Sequence, residues 1–218
     1  MTTFFKVISW VFMPLTIPIL ALLFVFYTPT DINFYALSNS LYFIDDSMKR
    51  FFLNAFGLFG WVFPVLSILI LKMTKQVETV ELDLQKQRTT PLFLSGVFGL
   101  MLLILLFKFN TQVTLSRHLF ALVISGVLMA FIFLFINLKF KISLHAGGVG
   151  LLLAFVMAYY LEQPLKLIWP LYVVCIICGL VIASRIWLQK HTNSELFFGF
   201  IFGFIITFAT DLISVQFL

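Results

Sequence analysis

Seven stretches of this chain, at about 7–27, 51–72, 91–108, 118–138, 147–162, 167–184 and 196–216, are almost unbroken runs of apolar residues. A helix needs about 20 such residues to cross the hydrocarbon core of a bilayer. The runs are continuous rather than alternating, which excludes a transmembrane barrel. Hydrophobic residues make up 62% of the 218 and charged residues only 11%, against about 25% charged in an ordinary soluble domain. So little polar surface cannot cover so much apolar surface, and the solvent for most of these side chains must be lipid. The expected fold is therefore all-α: a polytopic transmembrane helical bundle forming a single domain over 1–218, with seven spans and six as the alternative. The sequence carries no visible internal repeat, low-complexity tract or separate soluble domain.

The first run has only Lys6 ahead of it, contains Pro14 and Pro18, and is followed by no small-residue cleavage motif. It reads as a retained span rather than a signal peptide. Cys175 and Cys178 lie inside the run LYVVCIICGLVIA, where a C-x-x-C reads as two small packing residues rather than a redox or metal motif.

Alternating spans put the loops at 73–90, 139–146 and 185–195 on one face with the N-terminus. Loops 28–50, 109–117 and 163–166 fall on the other. In QVETVELDLQKQRTT (76–90), Val77, Val80 and Leu84 recur at helical spacing among charges, predicting an amphipathic helix lying on the interface. Stretch 33–50 suggests the same on the opposite face. The first face gathers Lys86, Arg88, Lys141, His145, Arg185, His191 and Glu195. Guanidinium and ammonium groups at that density match phosphate oxygens. The competing reading is ordinary snorkelling of Lys and Arg with a positive-inside bias, and charge alone favours it.

Spacing changes the balance. Residues 184–195, SRIWLQKHTNSE, read Ser-Arg, five residues, His, three residues, Glu; 142–145 read ISLH and 86–91 read KQRTTP. In this order the segments resemble the three motifs of the type 2 phosphatidic acid phosphatase superfamily, K-x6-R-P, P-S-G-H and S-R-x5-H-x3-D, whose helical core is shared with the vanadium haloperoxidases. The resemblance covers Lys86 to about Glu195 and is most specific in the third motif. Departures mark a divergent branch. Glu81 stands where the first-motif lysine would be, leaving Lys86 or Lys141 to supply that cation, and Pro91 is displaced from Arg88 by two threonines. Ile142 and Leu144 replace Pro and Gly, and Glu195 replaces Asp.

The resemblance implies a metal-independent lipid phosphatase, cleaving a phosphomonoester or diphosphate through a phosphohistidine. In that scheme His191 is the nucleophile, Glu195 orients it, and His145 is the general acid. Arg88, Arg185 and Ser143, with Lys86 or Lys141, bind the phosphate. Thr192-Asn193-Ser194-Glu195 also spells a capping box opening the last span. His118 falls on no motif and reads as structural. No group of Asp, Glu, Cys and His has metal-ligand spacing, so neither a metal nor a cofactor is expected. The expected partners are a lipid phosphate substrate and membrane lipids, not nucleic acid, with the oligomeric state left open. Isoprenyl diphosphate, phosphatidic acid, phosphatidylglycerol phosphate and lipid A are the candidate substrates. The expected location is a bacterial inner (plasma) membrane, with an extracytoplasmic site by family habit. The rivals are a transporter, against which the missing repeats speak, and a non-catalytic lipid binder using the same basic pocket, against which the two retained histidines speak.

Overall fold

The computed structural model describes residues 1–30, 40–82, 84–163 and 168–217, and no strand occurs among them. The helices are α1 (Thr2–Val11), α2 (Ile17–Tyr27), α3 (Asp46–Gly57), α4 (Phe63–Met73), α5 (Thr89–Asn110), α6 (Arg117–Asn137), α7 (Leu144–Glu162), α8 (Trp169–Trp187) and α9 (Asn193–Phe217). Among the described residues, six helical stretches are long and apolar enough to cross a membrane: Asp46–Met73, Gln85–Asn110, Arg117–Asn137, Leu144–Glu162, Trp169–Trp187 and Asn193–Ser214. Long apolar helices in this number fit an integral membrane protein.

The seventh run, expected over 7–27, is not one helix. It breaks between α1 and α2 at residues 12–16, where Pro14 has no N–H to give to the helical ladder and Pro18 opens α2. Thr16 Oγ1 donates to the carbonyls of Val11 and Met13, satisfying groups that the break leaves open. Pro64 acts more mildly. Its ring would clash with the carbonyl four residues earlier, and a π turn at Leu58–Val62 absorbs the misfit, so α3 and α4 continue as one 28-residue helix.

Segment 76–90 is not the interfacial amphipathic helix its periodicity suggests. It is a looped strap ending in a 3-10 turn, Gln85–Arg88, with Leu82 at φ 53. Val77 and Leu82 are buried against Ile68 and Leu71 of α4, whereas Leu84 is exposed. Burial on a neighbouring helix outweighs the weak preference of this sequence for an isolated helix. The matching expectation at 33–50 lies partly outside the described residues. Its remainder forms a short 3-10 turn, Leu41–Phe43, and the start of α3.

α7 is the enclosed centre of the bundle, with Val149, Leu152, Phe155 and Val156 wholly buried. Side chains such as Ile104, Phe135, Ile176 and Phe197 face outward. α7 and α9 cross backbone to backbone. A Cβ on Gly203 would collide with the carbonyl oxygen of Gly147, one on Gly150 with that of Phe200, and one on Gly199 would lie 2.6 Å from that of Ser143. Small residues permit this approach, as in other membrane helix pairs. The crossing sets the start of α7 beside the start of α9.

Candidate active site

The third-motif spacing has a backbone cause. α8 carries Arg185 in its last turn and ends in a Schellman motif: Lys190 N–H donates to Arg185 O at 3.1 Å and Gln189 N–H to Ile186 O at 3.0 Å, with Gln189 at φ 52. The five residues between Arg185 and His191 are thus the length of that turn. The chain then re-enters a helix at once. Thr192 Oγ1 accepts from Glu195 N–H at 3.3 Å, the capping half of a capping box. The other half is redirected: Glu195 Oε2 lies 2.6 Å from His191 Nδ1. A carboxylate only accepts, so Nδ1 carries the proton and Nε2 holds the lone pair.

Three loops meet here, the strap before α5, the entry to α7 and the α8–α9 turn. Arg88 is buried, its Nε donating to Leu82 O at 2.7 Å and Nη1 to Ile142 O at 2.8 Å. The turn that carries it is tied to α6 by reciprocal amide bonds between Gln85 and Asn137. Ser143 N–H donates to Glu195 O at 3.2 Å, and Ser143 Oγ caps α7 by accepting from Ala146 N–H. His145 follows in the first turn of α7, with Nε2 3.1 Å from the carbonyl oxygen of Ser9. Lys141 Nζ donates to Lys190 O at 3.2 Å.

Lys86 stands apart, exposed on the 3-10 turn. The structure instead brings in residues that motif reasoning missed. Lys6 and Ser9 of α1, and Lys190, join Arg88, Arg185, His145 and His191 around one cavity. Arg185 Nη1 donates to Ser9 Oγ at 2.6 Å. Glu81, at the place of the family lysine, pairs with Lys190 at 3.1 Å, so an acid there holds a lysine contributed by the third motif. The available signal for α1 was a serine early in an apolar run, ahead of two prolines, since broken helices in membrane proteins often border polar sites.

Electrostatically the site is basic and dry. Burial, and after it the charges of Arg88, Arg185 and Lys141 with a smaller contribution from His145, push His191 down from 6.5 to about 2. Its ring is therefore neutral near pH 7. Below the folded pKa the ring would hold a proton and lose its lone pair, so neutral His191 persists across the whole physiological range. The expected result is that the histidine ¹⁵N resonance lost in His191→Gln shows no titration between pH 5 and 8. A midpoint near 6.5 would contradict the environment described here.

The cavity measures about 530 Å³. From the basic end it continues between Phe56, Phe59, Leu102, Val123, Val127 and Phe133. Leu102 lies about 20 Å along α5 from Thr89, at 1.5 Å per residue, so the apolar end reaches well into the membrane-spanning zone.

A histidine held by a carboxylate among buried guanidinium groups is an arrangement suited to phosphate, and a comparison with known families points the same way. Residues 137–216 match the PAP2 superfamily. No curated protein and no solved structure matches the chain. The PAP2 segment comprises α7, α8 and α9 with His145, Arg185, His191 and Glu195, and leaves out Arg88. PAP2 is a phosphatase-type superfamily, and the match supports phosphoester hydrolysis at that coarse level.

Proposed function

We propose that this protein is a metal-independent lipid phosphatase that works through a phosphohistidine on His191. The observation that carries the reading is the continuity of one cavity from a histidine-bearing, basic end to an apolar end deep among the spans. A lipid phosphate has that same division, a dianionic head on an apolar tail. A water-soluble phosphate would leave the apolar wall without a partner.

In the proposed reaction, Nε2 of His191 attacks phosphorus while the P–O bond to the lipid breaks. The departing oxygen takes a proton from His145. Water then attacks phosphorus, giving up a proton to His145 as the P–Nε2 bond breaks, and inorganic phosphate leaves with the Nε2 lone pair of His191 restored. Arg88 and Arg185 neutralise the charge on the non-bridging oxygens, the dominant contribution in phosphoryl transfer. Ser143, Lys141 and Lys86 are proposed as secondary phosphate contacts, Lys86 only with a change of position from its exposed turn. In the substrate-free protein, Ser9 occupies Arg185 and His145, and phosphate oxygens would replace it. A bacterial plasma membrane with an extracytoplasmic site remains part of the proposal, on family habit.

Glu195→Gln tests the orienting role. It preserves size and the α9 cap but presents an amide to Nδ1, which allows the wrong tautomer. By analogy with buried carboxylate–histidine pairs, kcat is expected to fall about 10²–10⁴-fold with KM little changed. An unchanged kcat would overturn the orienting role of Glu195.

The deciding experiment is phosphate release by detergent-purified protein with EDTA present. Isoprenyl diphosphate, phosphatidic acid, phosphatidylglycerol phosphate and lipid A are offered in parallel. Release by the wild type that vanishes in His191→Ala supports the proposal and names the substrate. Absence of release from all four, with folded and monodisperse protein, refutes it and favours binding or transport by the same pocket.

A further inference from the structure

At the opposite ends of α6, α7 and α9 from the site just described, a second polar group is buried. His118 and Asp211 are both 0% exposed, and Glu162 lies at the rim with its side chain 25% exposed. His118 Nδ1 is 3.2 Å from Asp211 Oδ2, and Nε2 is 3.3 Å from Glu162 Oε2. Arg117 pairs with Glu162 from the outer side, and the ring of Tyr159 packs edge-on to His118 at 5.1 Å. Motif spacing could not reveal this group, because its members come from three helices far apart in the sequence.

Buried polar atoms nearly always have partners, and an exception calls for an unseen water or ion. Among the described residues, eight buried side-chain atoms have no hydrogen-bond partner; two of them, His118 Nε2 and Asp211 Oδ1, belong to the cluster itself, and Ser116 Oγ and Arg117 Nε come from the two residues just before His118 in the chain. A fifth, Thr207 Oγ1, lies one turn before Asp211 on the same face of α9. A proton on His118 would satisfy both ring nitrogens. It would still leave Asp211 Oδ1, Ser116 Oγ and Thr207 Oγ1 without partners.

We infer that this cluster is a structural site for one divalent first-row cation, Zn²⁺ or Mn²⁺. His118 supplies one ring nitrogen, and Asp211 and Glu162 one carboxylate oxygen each. Water on the ion reaches the remaining orphan atoms. One imidazole with two carboxylates is a donor set that these ions accept. Ligands held at about 2.1 Å from such an ion stand roughly 3–3.5 Å apart when adjacent. With Nδ1 as the ligating nitrogen, its 3.2 Å from Asp211 Oδ2 already has that value; Glu162 lies against the other ring nitrogen, and one donor atom from each residue falls within 4.8 Å of the others. Glu162, at the rim and paired with Arg117, is the side chain that would move to close the remaining gap, and its exposure gives the ion a way in. The ion would pin together, at one end, the three helices whose other ends carry Asn137, His145 and Glu195.

The test uses the whole chain in detergent, stripped with chelator, re-equilibrated with Zn²⁺ or Mn²⁺ alone, desalted and analysed for metal. The wild type is expected to hold about one ion per chain and to unfold at a higher temperature with the metal than without. His191→Ala should keep the ion, separating this site from the phosphate pocket. Glu162→Gln, at the solvent edge and therefore tolerated by the fold, should lower occupancy at least ~10-fold and lose the thermal shift; Asp211→Asn should do the same. Circular dichroism and gel filtration check that each variant is folded. Wild-type protein that takes up no ion, or Glu162→Gln that holds as much as wild type, overturns the inference and leaves a proton on His118 as the occupant.

Discussion

Replacing His191 with Ala is expected to lower turnover on the preferred lipid phosphate at least ~10³-fold while leaving the folded protein intact. The size of the effect follows from what the residue would do. Arg88, Arg185 and the cavity would still hold and polarise the phosphate, so some acceleration over water remains, as when a nucleophile is removed from other covalent enzymes. The covalent route itself disappears. Quenching the wild type during turnover of a ³²P-labelled substrate should trap an acid-labile, alkali-stable label on the protein, absent from His191→Ala. A variant retaining more than about a tenth of wild-type turnover would rule out His191 as the nucleophile. The fold should be indifferent, because the His191 ring lines the cavity and its Nδ1 partner sits one helical turn away.

Replacing Gly203 with Ala is expected to do the opposite, damaging the protein before the chemistry. Its new methyl group would overlap the carbonyl oxygen of Gly147, and backbone cannot rotate aside as a side chain can. Overpacking of this kind costs about 1–3 kcal/mol where neighbours yield, and here α7 and α9 must separate. A loss of about 3 kcal/mol corresponds to a fall of roughly 6–12 °C in the melting temperature of a chain this long. Gly179→Ala is the control, since a Cβ there meets nothing within 4 Å. Equal melting temperatures for the two variants would mean that the α7–α9 crossing is looser than described. Activity lost by Gly203→Ala in the surviving folded fraction would show in addition that the crossing positions His145 against His191.

Much of this architecture was legible in the chain. Six of the seven apolar runs correspond to helices long enough to cross a membrane, because a bilayer imposes one strong, local requirement that any window of residues reveals. The interfacial helix at 76–90 was misread for the complementary reason. Its periodicity is local, but its conformation is decided by α4, against which Val77 and Leu82 bury themselves. The broken first run was half visible in Pro14 and Pro18; the contact of Ser9 with Arg185 was not, because nothing local links residues so distant. At the candidate site, the Arg185–His191–Glu195 spacing was readable since a helix end, a Schellman turn and a cap fix it within one short stretch. Lys190 beside Glu81, and the cluster of His118, Glu162 and Asp211, depend on how separate helices pack, and spacing carries no record of that. The glycines of α7 and α9 were in plain view, and their facing arrangement is the signal that could have predicted the crossing.

The cavity has a consequence for how a protein of this kind can change. Its basic end draws His145, Arg185, Lys190 and His191 from the PAP2 segment and Lys6, Ser9 and Arg88 from outside it, whereas most of its apolar wall, Trp10, Met13, Phe56, Phe59, Leu102 and Val123 among it, comes from outside. On the function proposed above, most of the tail compartment is inherited in the first part of the polypeptide, and the nucleophile and the acid in the last. Exchanges among oily residues in the first part would reshape the tail compartment without moving a histidine, so descendants with one reaction could come to act on quite different lipids. A close match in α7–α9 between two such proteins would then speak to shared chemistry and say little about shared substrate.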